Sequence, residues 1–194
     1  MRVRTLAKLA AAAALVATSA CSSKLLVASV AAAANTAGKA PAASSVSSTE
    51  TFSPLEVALF EQVNYERAVY GLPPVAPDPE TLWVARSRAA GQPVSSALTH
   101  YDVGGNLVVE QLLEGSQLTY QLAGENLARV AAPTARAHAS ASDLAALVDR
   151  ALMQSPTHRA NILDGTFDRL AVGVATDSAG RVVFAQIFRS APAA

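Results

Sequence analysis

The chain has 194 residues, 15 Lys and Arg against 15 Asp and Glu, and 51% hydrophobic side chains. The balance hides two unlike halves. Residues 1–50 hold all three lysines, Arg2 and Arg4 against one acid, Glu50; from residue 51 on, ten arginines meet fourteen acids, a net charge of about −4. Arginines scattered over a mildly acidic domain exclude a nucleic-acid footprint, which needs clustered basic residues.

The chain opens MRVRTLAKLAAAAALVATSAC. A basic start (Arg2, Arg4, Lys8) precedes an apolar run, Leu9–Ala17, too short to span a bilayer, and then small residues. That is the pattern of a secretory signal peptide, taken here as residues 1–20. Cys21 is the sole cysteine, so no intramolecular disulfide can form. Its position after the apolar run predicts a lipoprotein acylated on Cys21, although Thr18 stands where such sites usually carry Leu. Cleavage further on, within VAAAANTA (30–37), is the alternative. Residues 35–50 are small and polar without apolar period, so 21–51 reads as a flexible tether. The expected folded domain is 52–190.

Ser53-Pro54-Leu55-Glu56 is a capping box with Pro at the first helical position. Leu55, Leu59 and Val63 recur at four-residue steps, which predicts a first helix to about Tyr70. Asp78-Pro79 is expected to cap a second helix to about Ala90, ended by Gly91 and Pro93. Residues 92–106 read as loop and 107–115 as a short helix. AGENLARV (123–130) is ambiguous between strand and turn. Residues 130–142 read as a surface loop, Ser142-Asp143 as the cap of a third helix to about Met153, and Ser155-Pro156 as the start of a helical turn through SPTHRANIL. LAVGVAT (170–176), DSAG and RVVFAQIF (181–188) form a hairpin, with Leu170, Val172 and Val174 on one face. Helices followed by an antiparallel hairpin argue an α+β domain.

Chemistry has few carriers. His138 lies in the Ala/Ser loop and reads as exposed. His100 lies in a loop, and His158 stands beside Arg159 and Asn161. Two imidazoles and a carboxylate are the usual parts of a zinc site, but positions 100, 125 and 158 carry no metal-binding spacing. There is no Gly-x-Ser-x-Gly and no phosphate loop, and Ser155 before Pro156 is most simply an N-cap. Glu125 is the sharpest question. A carboxylate among small and apolar residues in AGENLA needs a partner.

VNYERAVYGLPPVAPDPETL (63–82), HYD (100–102), AGENLA (123–128), LMQSPTHRANIL (152–163) and LAVGVAT…VVFAQIF, in this order, resemble the CAP superfamily (cysteine-rich secretory proteins, antigen 5, pathogenesis-related proteins) in its bacterial, disulfide-free form. The resemblance covers roughly 52–189. It implies a three-layer α-β-α sandwich with a central antiparallel sheet and an open cleft. In many members two His and two acidic residues line that cleft and can hold a divalent metal. His100 and Glu125 match cleft positions, and His158 matches the His of the bacterial SPxHRxNIL motif. The second family acid falls near Ser155, and a His common in the second helix of bacterial members is Arg88. His100, Glu125 and His158 can therefore be read as zinc ligands completed by water, or as a hydrogen-bonded network. The missing ligand favours the network.

The expected ligand-binding set is His100, Glu125, His158 and Asn126, and Asn126 is expected to bond backbone in a turn. Asn64 and Arg67 are expected to tie the first helix to a neighbouring segment, Arg159 to pair with an acid, and Asn161 to end the short helix. The functional expectation is an exported cell-envelope protein, a monomeric, non-catalytic module that binds a lipid, glycan or protein ligand. It touches the membrane only through an anchor at Cys21. The alternative is a metal-dependent hydrolase acting on envelope or peptide material, which would need a general base near the metal-bound water.

Overall fold

The computed structural model describes residues 23–26, 51–116, 118–138 and 140–190. The expected signal peptide, Cys21 and most of the expected tether lie outside these residues. The strands are β1 (Ser23–Leu26), β2 (Ala76–Pro77), β3 (Leu122–Val130), β4 (Arg169–Thr176) and β5 (Val182–Ser190), in the order β1-β3-β5-β4-β2. The helices are α1 (Pro54–Val69), α2 (Leu82–Ala90), α3 (Val108–Gly115), α4 (Ala132–Ala137), α5 (Ala141–Gln154) and α6 (Pro156–Ile162). The hairpin forms as its alternation predicts, with Leu170 opposite Phe188 and Val174 opposite Phe184. The segment left ambiguous, AGENLARV, is a strand antiparallel to β5. Ser23–Leu26 lies antiparallel to β3, Ser23 opposite Glu125. The sheet is mixed rather than wholly antiparallel, because β2 pairs in parallel with β4.

Strand side chains alternate between faces, so each face meets its own helices. On one side Leu59 and Val63 of α1, Leu144, Val148 and Leu152 of α5, and Ile162 of α6 pack on Leu170, Val172, Phe184 and Phe188. Each fully buried Phe contributes about 1.5–3 kcal/mol relative to an exposed one. On the other side Val84 and Ala85 of α2 and Val109 and Leu113 of α3 pack on Ala123, Ala171 and Ile187. This is the expected α-β-α sandwich.

Local signals account for most element starts. Ser53 Oγ accepts from the Glu56 N–H and Glu56 Oε2 accepts from the Ser53 N–H at 2.7 Å, so the capping box is closed. The Glu56 carboxylate also accepts from Arg86 Nε at 2.9 Å and from the Val174 N–H at 3.3 Å, which ties α1 to α2 and β4. Arg67 is fully buried and donates to the carbonyls of Pro73, Ile162, Asp164 and Phe167. Asn64 brackets the Val75 backbone from both sides. Both residues tie α1 to its neighbours, as their place in the sequence suggested.

Several starts differ from expectation. Asp78 caps nothing. A 3-10 turn (Pro79–Thr81) precedes α2, and the Asp78 carboxylate instead takes Arg189 of β5, with Nη2 donating at 2.9 Å. Long-range charge pairing outcompeted the local cap. The third long helix begins earlier than Ser142, with Ser140 Oγ accepting from the Asp143 N–H. The expected loop 130–142 contains α4. Ser155 stands at the N-cap of α6, but its hydroxyl makes no capping bond and faces Thr157 Oγ1 at 3.3 Å.

Asp149 is the misfit of the α1–α5 layer. It is 3% exposed, and its Oδ1 has no partner. Burial, and then the neighbouring Glu66 carboxylate, push its carboxyl up to about 7 from an ordinary 3.8. A raised folded value means that the protonated form is favoured in the fold. The stabilisation is complete below about pH 4 and is lost as pH rises through about 7. Asp149→Asn should flatten that limb and raise stability at about pH 8 by on the order of 1–3 kcal/mol. Urea denaturation at about pH 5 and pH 8 checks this, and a wild-type slope retained in the variant would refute it.

Candidate functional site

Glu125 stands in the middle of β3 with 0% of its surface exposed. An ionised carboxylate in such a place costs several kcal/mol unless it is paired and hydrogen-bonded. Its partner is Arg88. Nε donates to Oε1 at 2.6 Å and Nη2 to Oε2 at 3.2 Å, a two-pronged fork between a planar guanidinium and a carboxylate. His100 Nδ1 donates to Oε2 at 2.5 Å. The carboxylate can only accept, so the proton of this contact belongs to Nδ1, and in the neutral ring Nε2 presents a lone pair.

Packing brings these groups together. Gly173 of β4 lets the backbone of α2 lie directly on the sheet: a Cβ there would stand 2.1 Å from the Ala85 carbonyl carbon. Val84, Ala85 and Ala89 form the buried face of α2, and Arg88 shares it. Arg88 Nη2 also donates to the Thr99 carbonyl at 2.7 Å, and Gln92 brackets the Thr99 backbone with bonds of 2.9 and 3.1 Å. The residue before His100 is thereby clamped to α2. On its far side Asp102 accepts from the Gly104 and Asn106 N–H groups and from Gln111. Backbone and side-chain bonds from Asn106, then Gln111, hold its carboxyl down at about 2. The turn uses Gly105 at φ 81°, a region open to glycine.

His158 approaches from α6. Asn126 Nδ2 donates to the His158 carbonyl at 3.1 Å and to Gln186 Oε1 at 3.0 Å, while Asn161 Nδ2 donates to Asn126 Oδ1 at 2.9 Å and to the Glu125 carbonyl at 3.2 Å. Asn126 therefore acts from within a strand rather than a turn, and Asn161 fastens α6 to β3 rather than ending the helix. The His158 ring is 4% exposed and both its nitrogens lack partners; His100 Nε2 lacks one too. Burial first, and then the charge of nearby His100, push the His158 imidazole below its ordinary value. The ring is therefore neutral in the fold, and its contribution to stability falls away as pH drops below about 6.5.

Of the four residues singled out, His100 and Glu125 touch, His158 lies within electrostatic reach of His100, and Asn126 holds α6 in place. The set is closed from solvent: His100 is 3% exposed and does not line an open surface. Sequence reasoning noted Arg88 only as a departure from a family pattern and did not see it as the partner of Glu125. A usable signal was present, since Arg88 stands three residues after Ala85 and next to Ala89 on the apolar face of α2. Arg159 lies over the Tyr70 ring, 5.0 Å from its centroid, with Nη2 donating to the hydroxyl, instead of meeting an acid. His138 is half-buried rather than exposed, its Nδ1 2.7 Å from the Thr134 carbonyl.

A divalent ion at Glu125 would stand beside the Arg88 guanidinium, which donates to both carboxylate oxygens, and would meet its positive charge. Among the described residues no group of three or more His, Cys, Asp and Glu side chains is placed to hold a metal. In this arrangement the residues do not fit a zinc site. A separate groove of about 360 Å³ lies where α5 meets α6, lined by Met153, Gln154, Pro156, Arg159, Ala160 and Leu163. None of these belongs to the buried polar set. Among the described residues no helix is long and apolar enough to cross a membrane.

The family model described as "CAP: Cysteine-rich secretory protein family" matches residues 60–188. Among curated proteins the chain is similar to the protein YkwD of Bacillus subtilis (strain 168), 28% identical over 144 residues, covering 72% of this chain and 51% of that protein. The chain thus spans about half the length of that relative. Among solved structures it is similar to an extracellular protein containing a SCP domain from Bacillus anthracis, with a TM-score of 0.55, 25% identity, and coverage of 70% of this chain and 40% of that one. It is also similar in fold to an outer surface protein from Borrelia burgdorferi, with a TM-score of 0.54 and 15% identity, covering 71% of this chain and 93% of that one.

Proposed function

Because this chain belongs to the cysteine-rich secretory protein (CAP) family, we propose that it is an exported, cell-envelope binding module without catalytic activity, whose ligand sets a polar group against His100 and His158. The observation that carries this reading is the state of the site's polar atoms. Glu125 is used up by Arg88 and His100, whereas His100 Nε2 and both His158 nitrogens are buried without partners. Buried polar atoms without partners are costly, and a bound group that satisfies them recovers that cost. His100 Nε2 offers one hydrogen-bonding position, and neutral His158 offers one donor and one acceptor. A hydroxyl, able to give and take one hydrogen bond, suits such a pair, and envelope lipids and glycans carry many. Because the site is closed, entry displaces the segment around His100–Leu107.

The extracellular and outer-surface descriptions of two structural neighbours, and the signal-like leader, support the location. Against the hydrolase reading stands the carboxylate itself, which is tied to a guanidinium and not free to act as a base or to bind a metal. Mass spectrometry of organic extracts and released glycans from the purified protein tests the proposal. A stoichiometric lipid or glycan that is lost in His158→Ala, with circular dichroism unchanged, is the expected result. A clean extract together with no binding to envelope lipids or glycans would refute it.

A further inference from the structure

Among the described residues the sheet has two edges, and a short strand covers each: β2, two residues long, lies outside β4, and β1, four residues long, lies outside β3. The two strands differ in origin. β2 falls between α1 and α2, within the domain, whereas β1 comes from the leader end of the chain, far ahead of α1. Its register is set residue by residue: Ser23, Lys24, Leu25 and Leu26 stand opposite Glu125, Gly124, Ala123 and Leu122. From Glu125 onward α6 stands against β3, with Asn161 donating to the Glu125 carbonyl and the His158 carbonyl accepting from Asn126. β1 therefore covers the edge up to the point where α6 meets it, and its first residue is paired with the buried carboxylate residue of the site.

We infer that Ser23–Leu26 is a removable edge strand of the domain, kept or lost according to where the leader is cut. The dependence on cutting rests on the reading of residues 1–20 as a signal peptide. Cleavage before Cys21 keeps β1, and two residues of chain, at most about 7 Å, then separate the new N-terminus from a strand paired with Glu125. A lipid on that first residue holds the β3 edge at the membrane, in place of a domain carried on a flexible tether with a reach of about 30 Å. Cleavage within residues 30–37 removes β1. It releases the domain and uncovers the β3 edge in one step, and an uncovered edge is a template for a strand of another chain. The choice of cleavage site thus sets both the anchoring of the domain and the closure of its sheet.

The sequence supplies a probe. All three lysines, Lys8, Lys24 and Lys39, lie in residues 1–50, so a lysine-specific protease cuts nothing in the domain. Lys24 lies inside β1, and Lys39 falls in the stretch read as tether. In the full chain Lys24 should be cut about tenfold more slowly than Lys39, because a paired strand must open before it is cleaved. Amide exchange is then compared between the full chain and its Leu25→Pro/Leu26→Pro variant. Proline removes a ladder donor, and adjacent residues point theirs to opposite sides, so one of the two substitutions strikes the β3 side. Exchange at Leu122–Glu125 should quicken about tenfold in the variant while exchange in β4 stays unchanged. Equal cutting at Lys24 and Lys39, or β3 exchange indifferent to the two prolines, would overturn the inference. The mass of the protein from an exporting host reports the cut separately: a first residue at Cys21 or within 30–37 is expected, and an uncut leader would sink the leader reading and leave the edge strand to the exchange result.

Discussion

Arg88→Met lowers the stability of the domain by about 3–5 kcal/mol, the usual cost of leaving one member of a buried ion pair without the other. Methionine is long enough to fill much of the space along α2, so little of the loss comes from a cavity. The loss arises because Glu125, with 0% exposure, keeps only His100 as a partner. Urea denaturation of wild type and variant near pH 7 measures the effect. A loss below about 1 kcal/mol would place Glu125 in contact with water or another cation, contrary to the geometry.

Gly173→Ala has an effect at least as large, for a steric reason. The added Cβ would stand 2.1 Å from the Ala85 carbonyl carbon, 2.3 Å from the Arg86 nitrogen and 2.4 Å from the Ala85 oxygen. All three atoms are backbone in a helix, so no side-chain rotation can relieve the contact. Helix α2 must move off β4 as a body, and overpacking of this kind exceeds the common 1–3 kcal/mol. A loss of more than about 4 kcal/mol is expected. Because α2 carries both Arg86 and Arg88, the displacement also loosens the Glu56 and Glu125 pairs. Thermal melts and amide exchange in α2 check this. A Gly173→Ala variant as stable as wild type would mean that α2 does not lie on the strand at this distance.

What could be read from the sequence follows the range of the forces involved. The capping box at Ser53–Glu56, the β4–β5 hairpin and the sandwich architecture were legible because they rest on local patterns or on a motif series spanning the domain. Asp78 was misread for a physical reason. Its position before Pro79 is that of a cap, but Arg189, 111 residues away, offers a stronger partner. The same holds at the centre of the site. The need of Glu125 for a partner was visible in AGENLA, and His100 could be nominated as a neighbour. Arg88 became its main partner only once Gly173 had let α2 approach the sheet, a contact that no local pattern announces. The closure of the site around His100 and His158 was also out of reach, since it depends on Gln92 and Asp102 fastening the segments on either side.

Glu125 is paired with Arg88, and the polar atoms of the site left without partners belong to its imidazoles. A double-mutant cycle between Arg88→Met and Glu125→Gln measures this most directly, with unfolding free energies of all four proteins taken near pH 7. A coupling of about 2–3 kcal/mol is expected, with the double variant more stable than the sum of its single losses allows, because removing both charges leaves neither buried alone. Additive losses would contradict it, showing that the two side chains do not depend on each other and that the carboxylate remains free for other chemistry.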